Sequence, residues 1–232
     1  LPTRMSMPSI KKASIRLAAF YPYSIALNKR QETNRKPMDQ AEFRLRFNLH
    51  PLATQDPAAI PHLGLRKAAV LIPLQEIQGE LNLILTQRPM HLRAHPGQIS
   101  FPGGKIEPSD SSAITAALRE AEEEIGLCRE NVEVIGTFPA HNTFTGFEIT
   151  PVVGMIKQDF ALRLDPGEVA DCFTVPLSFF IEPQNRHRKQ FLRQGRYYSV
   201  HFIPYQQRFI WGATAAIIDH LCRHLSLPEE ML

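Results

Sequence analysis

A chain of 232 residues with 44% hydrophobic and 21% charged residues has the composition of a globular protein that can build a core, organised as one domain or one domain with extensions. Cys128, Cys172 and Cys222 are widely spaced and form no CxxC pair, which argues against a disulfide framework and a cysteine zinc site and fits a reducing, cytoplasmic compartment. The longest apolar runs, such as AAVLIPL at 68–74, are too short to span a bilayer, so no membrane partner is expected.

The net charge of +3 is unevenly distributed. Residues 1–37 hold eight Lys and Arg against one acid, Glu32, whereas the remainder holds 18 bases and 22 acids. The overall charge therefore indicates no nucleic-acid partner. The leader is basic and contains serines, as organellar transit peptides do, while MDQAEFRLRF from Met38 reads as a natural start. Residues 1–37 are expected to be a basic, disordered N-terminal extension, with a nucleic-acid-binding arm as the rival reading. Residues 38–232 are expected to be a single domain.

AEFRLRFNLH (41–50) reads as a short amphipathic helix leading into a proline-containing linker. KAAVLIPLQEI (67–77) and ELNLILTQR (80–88) read as two strands of a hairpin turning near Gly79. SSAITAALREAEEEIGL (111–127) reads as a helix, capped by Ser111 or Ser112 and stopped at Gly126. Strands follow at 132–140, 148–156, 172–177 and 196–205, and GATAAIIDHLCRHLSL (212–227) closes the chain as a helix with an apolar stripe. Mixed strands with a few helices predict an α/β sandwich.

The central helix raises a physical question. Glu120, Glu123 and Glu124 recur at i, i+3 and i+4 and share a face, where like charges repel by roughly 0.2–0.5 kcal/mol per pair. A solvated helix face tolerates this. A hard cation with oxygen ligands, Mg²⁺ or Mn²⁺, would turn the repulsion into a site. Arg119 stands beside the acids and can orient a carboxylate through its fork of donors. FPGG (101–104) lies upstream, and its glycines allow the backbone to approach a ligand closely. These parts suggest metal-assisted attack of water on a phosphoanhydride.

The ordered string resembles the Nudix box, G-x5-E-x7-R-E-U-x-E-E-x-G-U, with U aliphatic. Gly104, Arg119, Glu120, Ala121, Glu123, Glu124, Gly126 and Leu127 match it. Two departures stand out: Asp110 replaces the middle glutamate, and eight residues instead of seven separate it from Arg119. A second string, ILTQRPMHLRAHPGQISFPGG (84–104), resembles the pattern LLTxR-[SA]-x3-R-x3-G-x3-FPGG of the coenzyme A pyrophosphatase branch of the Nudix hydrolases, through Leu85, Thr86, Arg88, Arg93, Gly97, Phe101, Pro102, Gly103 and Gly104. Ile84 and Pro89 depart from it.

The resemblance implies a Nudix-type α/β/α sandwich with a mixed central sheet. It also implies Mg²⁺- or Mn²⁺-dependent hydrolysis of coenzyme A to 3′,5′-ADP and 4′-phosphopantetheine. Glu120 and Glu124 are then the expected metal ligands, Glu123 a further ligand or base, and Arg119 an orienting partner. Glu168, in LDPGEVADCF, is the candidate acid from outside the box, with a turn acid as the alternative. Arg88, Arg93, Gly97, Gly103 and Gly104 are expected to contact the anionic substrate. Phe101 is assigned to the core. His91 and His95 read as surface or packing residues, with a catalytic base as the alternative, and HNTFTG (141–146) as a loop that shapes the pocket or merely turns. Rival functions are hydrolysis of another nucleoside diphosphate derivative such as NADH, ADP-ribose or an NDP-sugar, and a non-catalytic binding module. A homodimer is left open.

Overall fold

The structure is a computed structural model that describes residues 37–49, 64–92, 94–193 and 196–226. Apart from Pro37, the expected extension 1–37 lies outside these residues, as does Arg93.

Helix α1 (Gln40–Leu49) buries Phe43 and Phe47, two residues one turn apart. Strands β1 (Arg66–Ile77) and β2 (Glu80–Gln87) form the expected hairpin. Its turn residues Gln78 and Gly79 both have positive φ, 54° and 78°, the backbone of a tight two-residue turn whose twist matches that of the strands. The two strands pair only from Leu74↔Leu83 to Ile77↔Glu80 and then splay apart. Two short strands fill the split: β3 (Ile99–Ser100) pairs with β2, and β4 (Gly103–Lys105) pairs with β1. FPGG is therefore built into the middle of the sheet, where Leu71 N–H donates to the Pro102 carbonyl at 2.9 Å.

After helix α2 (Ala113–Ile125), β5 (Val132–Thr137) and the short β6 (His141–Asn142) both pair antiparallel with β7 (Phe147–Ile156). Strand β7 runs parallel to β1, from Arg66↔Phe147 to Leu74↔Met155. Strand β8 (Asp171–Pro176) pairs with the outer edge of β2. The short helix α3 (Leu177–Ile181) leads to a second, antiparallel sheet of β9 (His187–Arg193), β10 (Arg196–Tyr205) and β11 (Arg208–Trp211), and α4 (Ala213–Leu225) follows.

Side chains alternate along β1 and separate two cores. Ala69 and Leu71 join Ile84 and Val152 under α2, which presents Ala116, Ala117, Ala121 and Ile125. Ile72 and Leu74 face the other way, toward Phe43 and Phe47 of α1 and Ile218 and Leu221 of α4. The result is the α/β/α sandwich with a mixed sheet. Burying each of the leucine, isoleucine, valine and phenylalanine side chains contributes about 1.5–3 kcal/mol. The alanines of α2 leave little bulk between helix and sheet, so its carboxylates are held close to the FPGG backbone.

The small sheet inserts Ile203 and Ile210 into the α4-side core. Arg208 pins it to the main sheet: it donates to Asp171 Oδ2 at 2.7 Å and to Gln87 Oε1 at 3.1 Å, and its guanidinium lies 3.8 Å from the centre of the Phe173 ring. Among the described residues, no helix is long and apolar enough to cross a membrane.

Candidate active site

Helix α2 is defined at both ends. Ser112 Oγ accepts from Thr115 N–H, and Thr115 Oγ1 accepts from Ser112 N–H, a reciprocal cap. At the other end Gly126, with φ 74°, donates its N–H to the carbonyls of Ala121 and Glu122. Between these stops the three glutamates of the shared face meet different surroundings. Glu124 turns toward the sheet and is 4% exposed, whereas the Glu123 side chain is 59% exposed. The Glu120 side chain lies between them, 14% exposed, against Gly104.

Glu124 and Glu120 form an electrostatically uncomfortable pair. Burial, then the charges of Glu120 and Glu168, push the Glu124 carboxyl up to about 8; Arg88 and a hydrogen bond from the Gly103 backbone pull it only partly back. Burial also raises Glu120, against the pull of Arg119. Two half-compensated carboxylates of this kind fit a hard divalent cation, which favours oxygen donors and relieves their mutual repulsion.

Arg119 holds the outer side of the cluster. Its guanidinium donates to Asp110 Oδ1 at 3.1 Å and Oδ2 at 3.0 Å, to Glu123 Oε2 at 2.9 Å and to the Lys105 carbonyl at 3.2 Å. It also pairs with Glu120 Oε1 at 3.0 Å. Asp110 is thus the two-pronged partner of Arg119, and that hydrogen bonding holds its carboxyl below the ordinary range. The extra residue before α2 is taken up by a turn: Asp110 N–H donates to the Glu107 carbonyl at 3.0 Å, and Glu107 N–H to Asp110 Oδ2 at 2.9 Å. The sequence left the role of Asp110 unresolved because spacing alone does not show which loop conformations return a carboxylate to the helix.

Glu168 reaches the cluster from a distant part of the chain. The 163–169 segment docks on the end of α2, where Arg163 N–H donates to the Ile125 carbonyl at 3.1 Å and Asp165 N–H to the Glu124 carbonyl at 3.0 Å. A turn on Asp165 then presents Glu168, which stays exposed while its charge acts on Glu120 and Glu124. Arg88 arrives from the end of β2, its N–H bonded to the Gln98 carbonyl at 2.9 Å. Burial, then the charges of Asp171 and Glu124, push the Cys172 thiol up to about 11.

Gly97 has φ 68°, and a Cβ there would lie 2.6 Å from Met90 Sδ, so it shapes the 88–98 loop. His91 and His95 are exposed on that loop, and Phe101 is 2% exposed in the core. Gly103 and Gly104 serve different ends. A Cβ on Gly103 would lie 2.4 Å from the Ala69 carbonyl oxygen and 2.6 Å from Val70 Cα. Since this is backbone, Gly103→Ala is expected to destabilise the fold by about 1–3 kcal/mol. A Cβ on Gly104 would meet only the movable end of Glu120, 2.4 Å from Oε1. Gly104→Ala is therefore expected to melt near the wild-type temperature but to lose about 100-fold in kcat, the effect of displacing a reacting group by about 1 Å. Thermal melts and kcat on both variants check the contrast.

The NUDIX domain family model matches residues 65–195. Over 165 residues the chain is 43% identical to "Uncharacterized Nudix hydrolase NudL" of Escherichia coli, covering 71% of this chain and 85% of that protein. The protein of the same name from Shigella flexneri is 41% identical over 187 residues, 80% of this chain and 94% of that one. Among solved structures, the Nudix hydrolase RenU of M. smegmatis is 21% identical with a TM-score of 0.43, over 50% of this chain and 73% of that one. With a family model across more than half its length and relatives above 40% identity over most of theirs, this chain belongs to the Nudix hydrolases, enzymes that cleave phosphoanhydride bonds in nucleoside diphosphate derivatives.

Proposed function

We propose that the protein hydrolyses the pyrophosphate linkage of coenzyme A to 3′,5′-ADP and 4′-phosphopantetheine. The observation that carries this reading is a convergence from both ends of the 84–104 string: the charge of Arg88 acts on Glu124, the Gly103 backbone hydrogen-bonds Glu124, and Gly104 lies against Glu120. That string resembles the coenzyme A branch, and Arg88, Gly103 and Gly104 would flank a diphosphate held at those acids.

In this reading Glu120 and Glu124 hold Mg²⁺ or Mn²⁺, with Glu123 and Glu168 beside them. When bound, the divalent ion polarises phosphoryl oxygens and makes water a better nucleophile. Arg88 directs its guanidinium at the diphosphate, as planar forked donors do. Water attacks phosphorus, the bridging P–O bond breaks, and the water proton passes to an exposed carboxylate, Glu123 or Glu168. Arg119 keeps Glu120 and Glu123 in place, and Asp110 keeps Arg119 in place.

Product analysis tests the reading. With Mg²⁺ or Mn²⁺, the purified protein is expected to release 3′,5′-ADP from coenzyme A much faster than it cleaves NADH, ADP-ribose or ATP. Turnover of one of these instead, with coenzyme A intact, would retain the chemistry and reject the substrate.

A further inference from the structure

We infer that Asp165 is a positioning residue that acts through Glu168: its side chain fixes the turn that brings Glu168 to the acid cluster. The inference rests on the reading that Glu120 and Glu124 hold a divalent cation, and it names what keeps a further carboxylate beside them.

The local sequence explains the turn. Residues 165–169 read Asp-Pro-Gly-Glu-Val. An aspartate side chain bonds its own backbone two residues on, and a following proline presets φ for a tight turn. Asp165 Oδ1 accordingly accepts from Gly167 N–H at 2.8 Å. The Asp165 carbonyl accepts from Glu168 N–H at 3.1 Å and from Val169 N–H at 2.8 Å. Val169 is 3% exposed, so the residue that follows Glu168 is anchored by burial. Glu168 itself is exposed, and its place is set by the backbone that carries it.

Both ends of this segment are tied to the site. At its start, Asp165 N–H donates to the carbonyl of Glu124 at 3.0 Å, and Arg163 N–H to that of Ile125 at 3.1 Å. At its exit, Ala170 N–H donates to the Gln87 carbonyl at 2.8 Å, one residue before Arg88. Glu168 therefore rides on a short bridge between the end of α2, which carries Glu124, and the end of β2, which leads to Arg88. From there its charge acts on both Glu120 and Glu124. Without the Asp165 side chain the bridge keeps its two ends and loses the bond that shapes its middle. Asp165 and Gly167 are exposed, so water can replace the lost acceptor in Asp165→Ala, and the variant should melt near the wild-type temperature.

Titration of metal-stripped protein with Mn²⁺ tests the assignment on wild type, Asp165→Ala, Asp165→Asn, Glu168→Gln and the Asp165→Ala, Glu168→Gln double variant. Glu168→Gln is expected to weaken Mn²⁺ binding about 10–100-fold, the usual range for losing a group that supports a metal site, and Asp165→Ala about 10-fold. Asp165→Asn keeps an oxygen acceptor for Gly167 and should bind Mn²⁺ as wild type does. The double variant should bind no more weakly than Glu168→Gln alone, because a residue that acts only through another adds nothing once that other is gone. Wild-type affinity in Asp165→Ala or in Glu168→Gln would overturn the inference. So would additive losses in the double variant, the mark of a merely structural role. A loss in Asp165→Asn equal to that in Asp165→Ala would also overturn it, since the Asp165 charge would then act directly. Coenzyme A turnover on the same preparations separates the readings. Intact coenzyme A with Mn²⁺ binding that depends on Asp165 rejects the substrate and keeps the positioning role, whereas a wild type that binds no Mn²⁺ rejects the cation site and the positioning role together.

Discussion

Glu124→Gln is expected to lower turnover by about a thousandfold and, in metal-free protein at pH 8, to raise the melting temperature. Loss of a ligand removes several kcal/mol of transition-state charge stabilisation, and each 1.36 kcal/mol is tenfold in rate. The stability effect has its own cause. Glu124 has its carboxyl raised from 4.5 to about 8, first by burial and then by Glu120 and Glu168. Between those values the folded state binds the proton that the unfolded state releases, so folding stability falls as pH rises from about 4.5 to about 8. The loss amounts to a few kcal/mol, since each pH step of one across that window costs about 1.4 kcal/mol. Glutamine is neutral at every pH, so the variant should lose this slope. Melting curves from pH 5 to pH 8, with chelator and with Mg²⁺, check both points. Wild-type turnover in Glu124→Gln, or an unchanged slope, would remove Glu124 from the centre of the site.

Asp110→Asn is expected to reduce activity and cation affinity about 10–100-fold, the usual effect of losing a group that orients a ligand. Arg119 touches Glu120 and Glu123 as well as Asp110. With the Asp110 charge removed, Arg119 is free to shift toward the two glutamates and compete with the cation for their oxygens. Arg119 holds the Asp110 carboxyl below its ordinary value of 3.8, so the clamp stays charged from pH 4 upward and only the variant lacks it. Titration of Mn²⁺ binding to wild type and variant from pH 4 to pH 7 provides the measurement. Similar affinity at all pH values would show that Arg119 needs no anchor outside the helix.

How far the sequence went depends on how local each signal was. The β1–β2 hairpin was legible because its apolar strands flank a glycine turn, and α2 because serine and glycine mark its ends. The α2 acids were legible as a set through their spacing. Strand β9, HRKQFLR, was missed because it lacks alternation; it is paired through its backbone to β10, and pairing is not written in side-chain order. Strands β3 and β4 were missed because they exist only where β1 and β2 splay apart.

By itself, then, the sequence determined the family-defining helix, its ordered acids, the string at 84–104 that precedes it and the sandwich class, since each depends on residue type at fixed short spacing. Only the tertiary structure decided which glutamate is buried, that Asp110 anchors Arg119, and that the 163–169 segment carries Glu168 to the cluster. Each of these joins segments separated by a loop or by many tens of residues. Burial and charge act through space, and no periodicity along the chain encodes the distances at which they do so.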